Sequence, residues 1–284
     1  MKVGCYQCNS VHGDFEANLA TVLKGLEAGE KEGVEILAFP ESLLTGYFER
    51  EEDARRTAFA IDSPQIEKLL EATSRFEATF MVGFNELRGE ALYNTVLVAE
   101  RGKLLGRYSK AFPCFAFTTP GREFPIFERG GIKFGVIICA DGAFIEPSRI
   151  LALKGARIIF APHYNFLEKG WVVPHFYMVR HDHVARAVEN GVWFLRANTA
   201  GGTDDAGFSY NGVGYGDSYL LDPMGQIVAH AGLHCTGLMT GEVDLERSFP
   251  SLPVPHKGNS LLSWRELGGQ LAEAAKKALG KDQF

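Results

Sequence analysis

The chain has 284 residues, 46% hydrophobic and 23% charged, ordinary proportions for a globular protein of one large domain or two small ones. With 29 basic against 35 acidic side chains the formal net charge is −6, which gives no electrostatic reason to expect a nucleic-acid partner. No apolar run approaches the ~18 residues a membrane-spanning helix needs, so no membrane partner is expected either.

Residues 2–9 alternate apolar and polar side chains and read as a strand. They follow Met1 directly, without the apolar segment of a secretory signal, and five scattered cysteines make no disulfide framework. A reducing, cytoplasmic setting is expected. Asp14 is placed to cap a helix over residues 15–32, with Leu19, Val22, Leu23 and Leu26 on one face and Gly33 at its end. A short apolar strand over 34–39 stops at Pro40-Glu41, which sets a carboxylate directly after a buried strand. Ser63-Pro64, cap then proline, starts a helix reaching about residue 75. Strand-like runs over 79–84, 94–99 and 103–109 follow, the last two joined by a turn at Arg101-Gly102, with Lys110 just beyond. Residues 111–123 are a loop dense in aromatics.

A strand around Phe127 precedes the run Phe134-Gly135-Val136-Ile137-Ile138-Cys139, which Asp141-Gly142 breaks before a helix over 147–154. Cys139 stands where a strand gives way to a loop. That position suits either a nucleophile or a small buried core residue. A strand over 157–161, a helix over 175–189 ended by Asn190-Gly191, and strands over 192–197, 216–221, 226–231 and 237–243 complete the pattern. Asp222-Pro223-Met224-Gly225 makes a turn between two of them. Residues 250–256, with Pro250, Pro253 and Pro255, read as an extended arm, and the chain from 260 on as a polar, peripheral helix. Strands and helices interleave without linker or repeat, and many strands have a half-buried pattern. One α/β domain of two sheets packed face to face, with helices outside, is predicted.

Three reactive side chains stand after strands: Glu41, Lys110 and Cys139. Taken singly, a Glu or Lys there is a solvated loop charge. Together their chemistry is coherent. A cysteine with pKa near ~8.5 is only slightly ionised at neutral pH and needs a base. A partly desolvated glutamate can take its proton, and an ammonium can stabilise both thiolate and oxyanion. Other signals fail on geometry. Cys5 and Cys8 lie on opposite faces of a strand, His181 and His183 cannot share a helix face, and Gly212, Gly214 and Gly216 open a strand rather than a nucleotide-binding helix. Phe112, Phe115, Phe117, Tyr164 and Trp171 suit a pocket or a core equally.

The flanking residues add a resemblance. Phe39-Pro40-Glu41-Ser42-Leu43-Leu44-Thr45-Gly46-Tyr47 resembles the glutamate motif of the nitrilase superfamily of carbon–nitrogen hydrolases, in its amidase or carbamoylase-like branch. Gly106-Arg107-Tyr108-Ser109-Lys110 resembles its lysine motif, and Cys139-Ala140-Asp141-Gly142-Ala143-Phe144-Ile145-Glu146 its nucleophile motif. The likeness runs in order from about residue 2 to 245. It implies a single-domain, four-layer α-β-β-α sandwich over residues 1–284, with a core of about 1–245 and an arm and helix over 246–284. It implies homodimers or larger assemblies, no metal or organic cofactor, and a small-molecule amide substrate. Cys139 would attack the amide carbon, Glu41 would act as general base, and Lys110 with the Ala140 N–H would hold the oxyanion. Tyr47, Phe115, Tyr164 and Asn165 would line the substrate pocket.

The match has departures. True nitrilases usually place Trp-Glu after the cysteine, where this chain has Ala140-Asp141. Many carbamoyl-amino-acid hydrolases carry arginine just after the motif's Asp, where Gly142 and Ala143 stand here. A carboxamide is therefore expected over an N-carbamoyl compound. The family's second glutamate is missing: the counted position falls on Cys114 or Phe115, and neither Glu123 nor Glu128 is expected to replace it. That gap keeps open a third reading, a nitrilase-fold interaction protein whose site has decayed.

Overall fold

A computed structural model describes residues 1–201 and 207–246, together with 269, 270 and 273. In chain order, β1 (Lys2–Gln7) leads to α1 (Phe15–Lys31), where the Asp14 carboxylate accepts the Ala17 N–H at 3.0 Å and so caps the helix as expected. β2 (Ile36–Ala38) is followed by α2 (Glu51–Thr57), a short helix with no sequence signal of its own, and by α3 (Pro64–Thr73) behind its Ser63 cap. β3 (Thr79–Arg88), β4 (Ala91–Glu100) and β5 (Lys103–Ser109) form a meander. β6 (Phe127–Arg129) and β7 (Ile132–Val136) precede a single turn of 3-10 helix, Cys139–Ala143, and α4 (Ile145–Leu153). β8 (Ile158–His163), β9 (Phe166–Glu168), α5 (Val172–Asn190) and β10 (Trp193–Asn198) follow, with Gly191 at φ 62° closing α5. β11 (Ala200–Gly201), β12 (Gly212–Tyr215), β13 (Tyr219–Leu221), β14 (Ile227–His230) and β15 (Gly237–Glu242) complete the described chain.

Two six-stranded sheets result, ordered β15-β1-β2-β3-β4-β5 and β14-β13-β10-β8-β7-β6, with a small third sheet β11-β12-β9. Three buried apolar clusters set the layers. One joins the inner faces of both sheets, with Val3, Ile36, Met81 and Val98 meeting Val136, Ile158, Phe160 and Leu195. A second packs the first sheet's outer face on α1 and α3 through Leu19, Val22, Leu26, Ile66 and Leu69. The third packs the second sheet on α4 and α5 through Leu151, Ala152 and Ala187. The order is helix, sheet, sheet, helix, as expected.

The strand directions decide where the reactive residues go. β1, β2 and β3 are mutually parallel, and two successive antiparallel pairings return β5 to the direction of β2. Residues following β2 and β5 therefore leave the sheet at the same end. β7, β8 and β10 are likewise parallel in the second sheet. Two expectations need correction. Cys139 is not at the end of a strand: β7 stops at Val136, and Cys139 opens the 3-10 turn. The strand expected over 216–221 begins only at Tyr219, because Asp217 takes a positive φ of 66° that a strand cannot hold. The arm over 250–256 lies outside the described residues, as does the expected helix from 260 apart from 269, 270 and 273.

Candidate active site

Glu41 follows β2 through a sharp bend. Ser42 has a φ of 52°, and the bend lies against Gly83, where a Cβ would sit 2.3 Å from the Ser42 nitrogen. The Glu41 side chain is fully buried. Its Oε1 accepts from Lys110 Nζ at 2.7 Å and Asn94 Nδ2 at 2.6 Å, and its Oε2 accepts from the Tyr164 N–H at 2.9 Å. Three donors occupy three of the side chain's four lone-pair directions, and one on Oε2 is left over.

Lys110 is 1% exposed, and its backbone is pinned on both sides, by its N–H to Asn94 O and its carbonyl to the Gly121 N–H. Burial by itself would lower its pKa. The Glu41 charge reverses that and holds it well above the ordinary lysine value. Cys114 Sγ stands 3.6 Å from the same ammonium, so Glu41 is not the only polar group on it.

Cys139 has a φ of 46°, a conformation that strains any residue with a Cβ. Asp141 holds the strained turn. Its Oδ2 accepts from Tyr108 Oη at 2.7 Å and the Ile138 N–H at 2.9 Å, and its Oδ1 from the Phe112 N–H at 2.8 Å. One buried carboxylate thus ties the Cys139 turn to the chain on either side of Lys110. Arg186 on α5 adds a bond from Nε to Gly142 O at 3.1 Å. Burial, then the Glu41 charge, push the Cys139 thiol far above its usual pKa. A thiol so raised is neutral at rest and reacts only when a base removes its proton.

Of the residues expected in the pocket, Tyr164 and Asn165 follow β8 and bridge the site: Tyr164 bonds Glu41, while Asn165 Nδ2 donates to Cys139 Sγ at 3.6 Å. Tyr47 stacks on Tyr164 at 5.2 Å, and Phe115 packs on Tyr47 at 5.6 Å, with Lys110 Nζ 5.8 Å from the Tyr47 ring centre. Phe208 and Tyr210 extend this aromatic wall. Phe117 stacks on Phe115, and Phe112 on Phe144 at 3.8 Å. Trp171 is not part of the wall; it is 65% exposed at the start of α5. Ala140 lies in the first turn of the 3-10 segment, whose leading N–H groups point out of it. Asn94, Arg196 and Tyr215 carry no signal in the sequence, and Asp141 reads there only as a turn and motif residue. What sets them apart is partnership across the fold, which no spacing carries.

The cysteine and histidine pairs fall as expected. Cys5 and Cys8 are buried in different clusters on opposite faces of the first sheet. Burial raises both thiols, that of Cys5 to about 12. His183 is buried while His181 is exposed, and Glu123 and Glu128 are both exposed. Among the described residues no three His, Cys, Asp or Glu side chains gather as metal ligands, and no helix is long and apolar enough to cross a membrane.

A buried carboxylate and ammonium in contact, with a thiol in a strained turn beside them in a four-layer sandwich, are an arrangement suited to thiol-dependent acyl chemistry. The carbon–nitrogen hydrolase family profile matches residues 2–248, and the chain belongs to that family. It is 28% identical over 259 residues to the glutamine-dependent NAD(+) synthetase of Thermotoga maritima, covering 88% of this chain but only 43% of that protein's length. It is 29% identical over 251 residues to a nitrilase of Pyrococcus abyssi, covering 86% of this chain and 90% of the relative. The fold matches an amidase from Nesterenkonia sp. AN1 with a TM-score of 0.71 at 22% identity, over 86% of this chain and 90% of that one. In that structure a glutamate-to-glutamine variant carries the acetamide moiety of fluoroacetamide on its active-site cysteine.

Proposed function

We propose that the protein hydrolyses the C–N bond of a small, uncharged or weakly polar carboxamide through a thioester on Cys139, releasing ammonia or an amine. The observation that carries this reading is the buried Glu41–Lys110 pair, 2.7 Å apart, with Cys139 bridged to it by the adjacent residues Tyr164 and Asn165. Glu41 takes the thiol proton on the remaining lone pair of Oε2 as the sulfur bonds to the amide carbon. The carbonyl electrons move onto oxygen, where Lys110 and the Ala140 N–H receive them. Collapse breaks the C–N bond, and Glu41 returns its proton to the departing nitrogen. Water, deprotonated by Glu41, then attacks the thioester; the C–S bond breaks and the thiolate recovers the proton. No metal or organic cofactor takes part.

Tyr47, Phe115, Tyr164 and Asn165 form the substrate wall, an apolar surface that suits an uncharged amide. An N-carbamoyl substrate would use the same three residues; Gly142 and Ala143, in place of an arginine, favour the amide. The non-catalytic reading rests on Cys114, which stands by Lys110 where the family's second carboxylate is expected. A panel of amides, nitriles and carbamoyl compounds, assayed for ammonia and for acyl adducts by intact mass, separates the three. Ammonia and a Cys139 adduct from simple amides are expected; neither product from any compound would make this an interaction protein. We further propose one domain over residues 1–284, a cytoplasmic location, and a homodimer or larger assembly. The assembly is supported by Val173, Tyr177 and Met178 on α5 and Trp171 just before it, with Phe144 and Ile145 at the start of α4, all large apolar side chains at least 42% exposed.

A further inference from the structure

Asn165 is held in one orientation by groups that have no part in the scheme above. Its Oδ1 accepts from Arg196 Nη2 at 2.5 Å and from Tyr215 Oη at 3.3 Å, and its backbone N–H donates to Asn198 Oδ1 at 3.0 Å. A guanidinium has only donors, so the amide oxygen must face Arg196 and the amide nitrogen must face Cys139. Arg196 cannot turn away. It is fully buried on β10, and its Nη1 donates to Gly216 O at 3.1 Å and to Asp217 O and Oδ2 at 2.5 and 3.2 Å. Tyr215 and Tyr219 stack against it at 5.2 and 5.6 Å. Asp217 is in turn gripped from the other side by Arg180, at 2.5 Å, and His230, at 2.8 Å. A buried charge with this many partners has no second arrangement of comparable energy.

We infer that Asn165 is a catalytic residue, its side-chain N–H stabilising negative charge on the Cys139 sulfur, and that Arg196 and Tyr215 are positioning residues that aim it. The inference rests on the thioester reading and deepens it. Sulfur carries charge twice in that cycle: when Glu41 removes the thiol proton before the S–C bond forms, and when the S–C bond breaks and thiolate leaves the hydrolysed acyl group. A fixed donor at 3.6 Å acts on both steps. Its effect falls on kcat rather than on KM, because the charge develops only along the reaction.

The test uses Asn165→Leu and Tyr215→Phe in the full chain, singly and combined, with hydrolysis of a simple amide and alkylation of Cys139 by iodoacetamide as readouts. Asn165→Leu should lower kcat by about ten- to a hundredfold with little change in KM, the range for losing a hydrogen bond to a charged group. It should also slow alkylation at pH 8 by a comparable factor and shift the alkylation profile to higher pH. Tyr215→Phe should have a smaller effect in the same direction, and none once Leu occupies position 165, since it acts through the amide. A purely structural Tyr215 would instead add its loss in both backgrounds. Full kcat and an unmoved alkylation profile in Asn165→Leu would overturn the inference, as would additive losses in the double variant. If Asn165→Leu fails to fold, Tyr215→Phe alone decides: an unshifted alkylation profile overturns the inference. Cys139→Ala separates the two levels. Hydrolysis surviving in that variant sinks the thioester on Cys139, whereas its loss beside a fully active Asn165→Leu sinks only the role given to Asn165.

Discussion

Cys139 and Cys114 are both within reach of the Lys110 ammonium's field, yet they differ in their surroundings. Cys139 sits in a strained turn held by Asp141 with an amide donor on its sulfur, while Cys114 is exposed on a loop with its sulfur 3.6 Å from the lysine ammonium. Cys139→Ala should therefore abolish hydrolysis without lowering the melting temperature appreciably, and Cys114→Ala should leave turnover close to that of the parent. Hydrolysis that survives in the first variant, or vanishes in the second, would move the nucleophile to Cys114. Asn94 presents a subtler case. It donates 2.6 Å to the Glu41 oxygen that also binds Lys110, so it fixes which Glu41 lone pair stays available. Asn94→Leu should lower kcat roughly tenfold, about the worth of one hydrogen bond to a charged group, and steady-state kinetics on a folded variant measures it.

Among the elements, the loop after β5 depends on a backbone contact that only glycine permits. A Cβ at Gly121 would lie 2.0 Å from the Ser109 carbonyl oxygen and 2.7 Å from its carbon, both backbone atoms that cannot swing aside. The Gly121 N–H also bonds the Lys110 carbonyl at 2.8 Å. Gly121→Ala should push the lysine off its Glu41 contact, cost about 1–3 kcal/mol by overpacking, and lower kcat together with stability. Urea unfolding beside kinetics would show both; unchanged stability would mean that the loop yields more easily than its contacts suggest.

For the whole molecule, buried histidines make stability depend on pH. Burial first, reinforced by the nearby Arg196 charge, depresses His163 and His183 well below their usual range and His175 to about 4. The folded state keeps these rings neutral while the unfolded chain protonates near ~6.5, so acid favours unfolding. Stability should be level above that value and fall as pH drops toward about 4, with Asp141, its carboxyl raised by burial, opposing the trend. Unfolding free energies at pH 7, 6 and 5 give the slope, and a flat line would contradict the assignment. The exposed apolar face of α5 concerns assembly instead. Sedimentation should find at least a dimer at micromolar concentration, and Trp171→Glu with Tyr177→Glu should shift it toward the 31.2 kDa protomer. A parent protein that sediments only as protomer would remove the assembly.

Periodicity and punctuation made most of the elements readable along the chain. Asp14, Ser63-Pro64 and Asn190-Gly191 mark helix ends through local hydrogen bonds and backbone preference, and the structure puts those ends there. Glu41, Lys110 and Cys139 were legible for the same local reason: each closes an apolar run at a turn. α2 was not, because its seven mostly charged residues show no apolar stripe. The strand expected to carry Cys139 ended early because Asp141 draws the Ile138 N–H to its own carboxylate. Asn94 on Glu41, and Arg196 and Tyr215 on Asn165, could not be read at all. They join residues 53, 31 and 50 positions apart, and such partners are chosen by how the strands are brought together in space. A lone Asn or Arg in an apolar strand marks only a buried polar group that must find a partner; the packing of the two sheets selects which one.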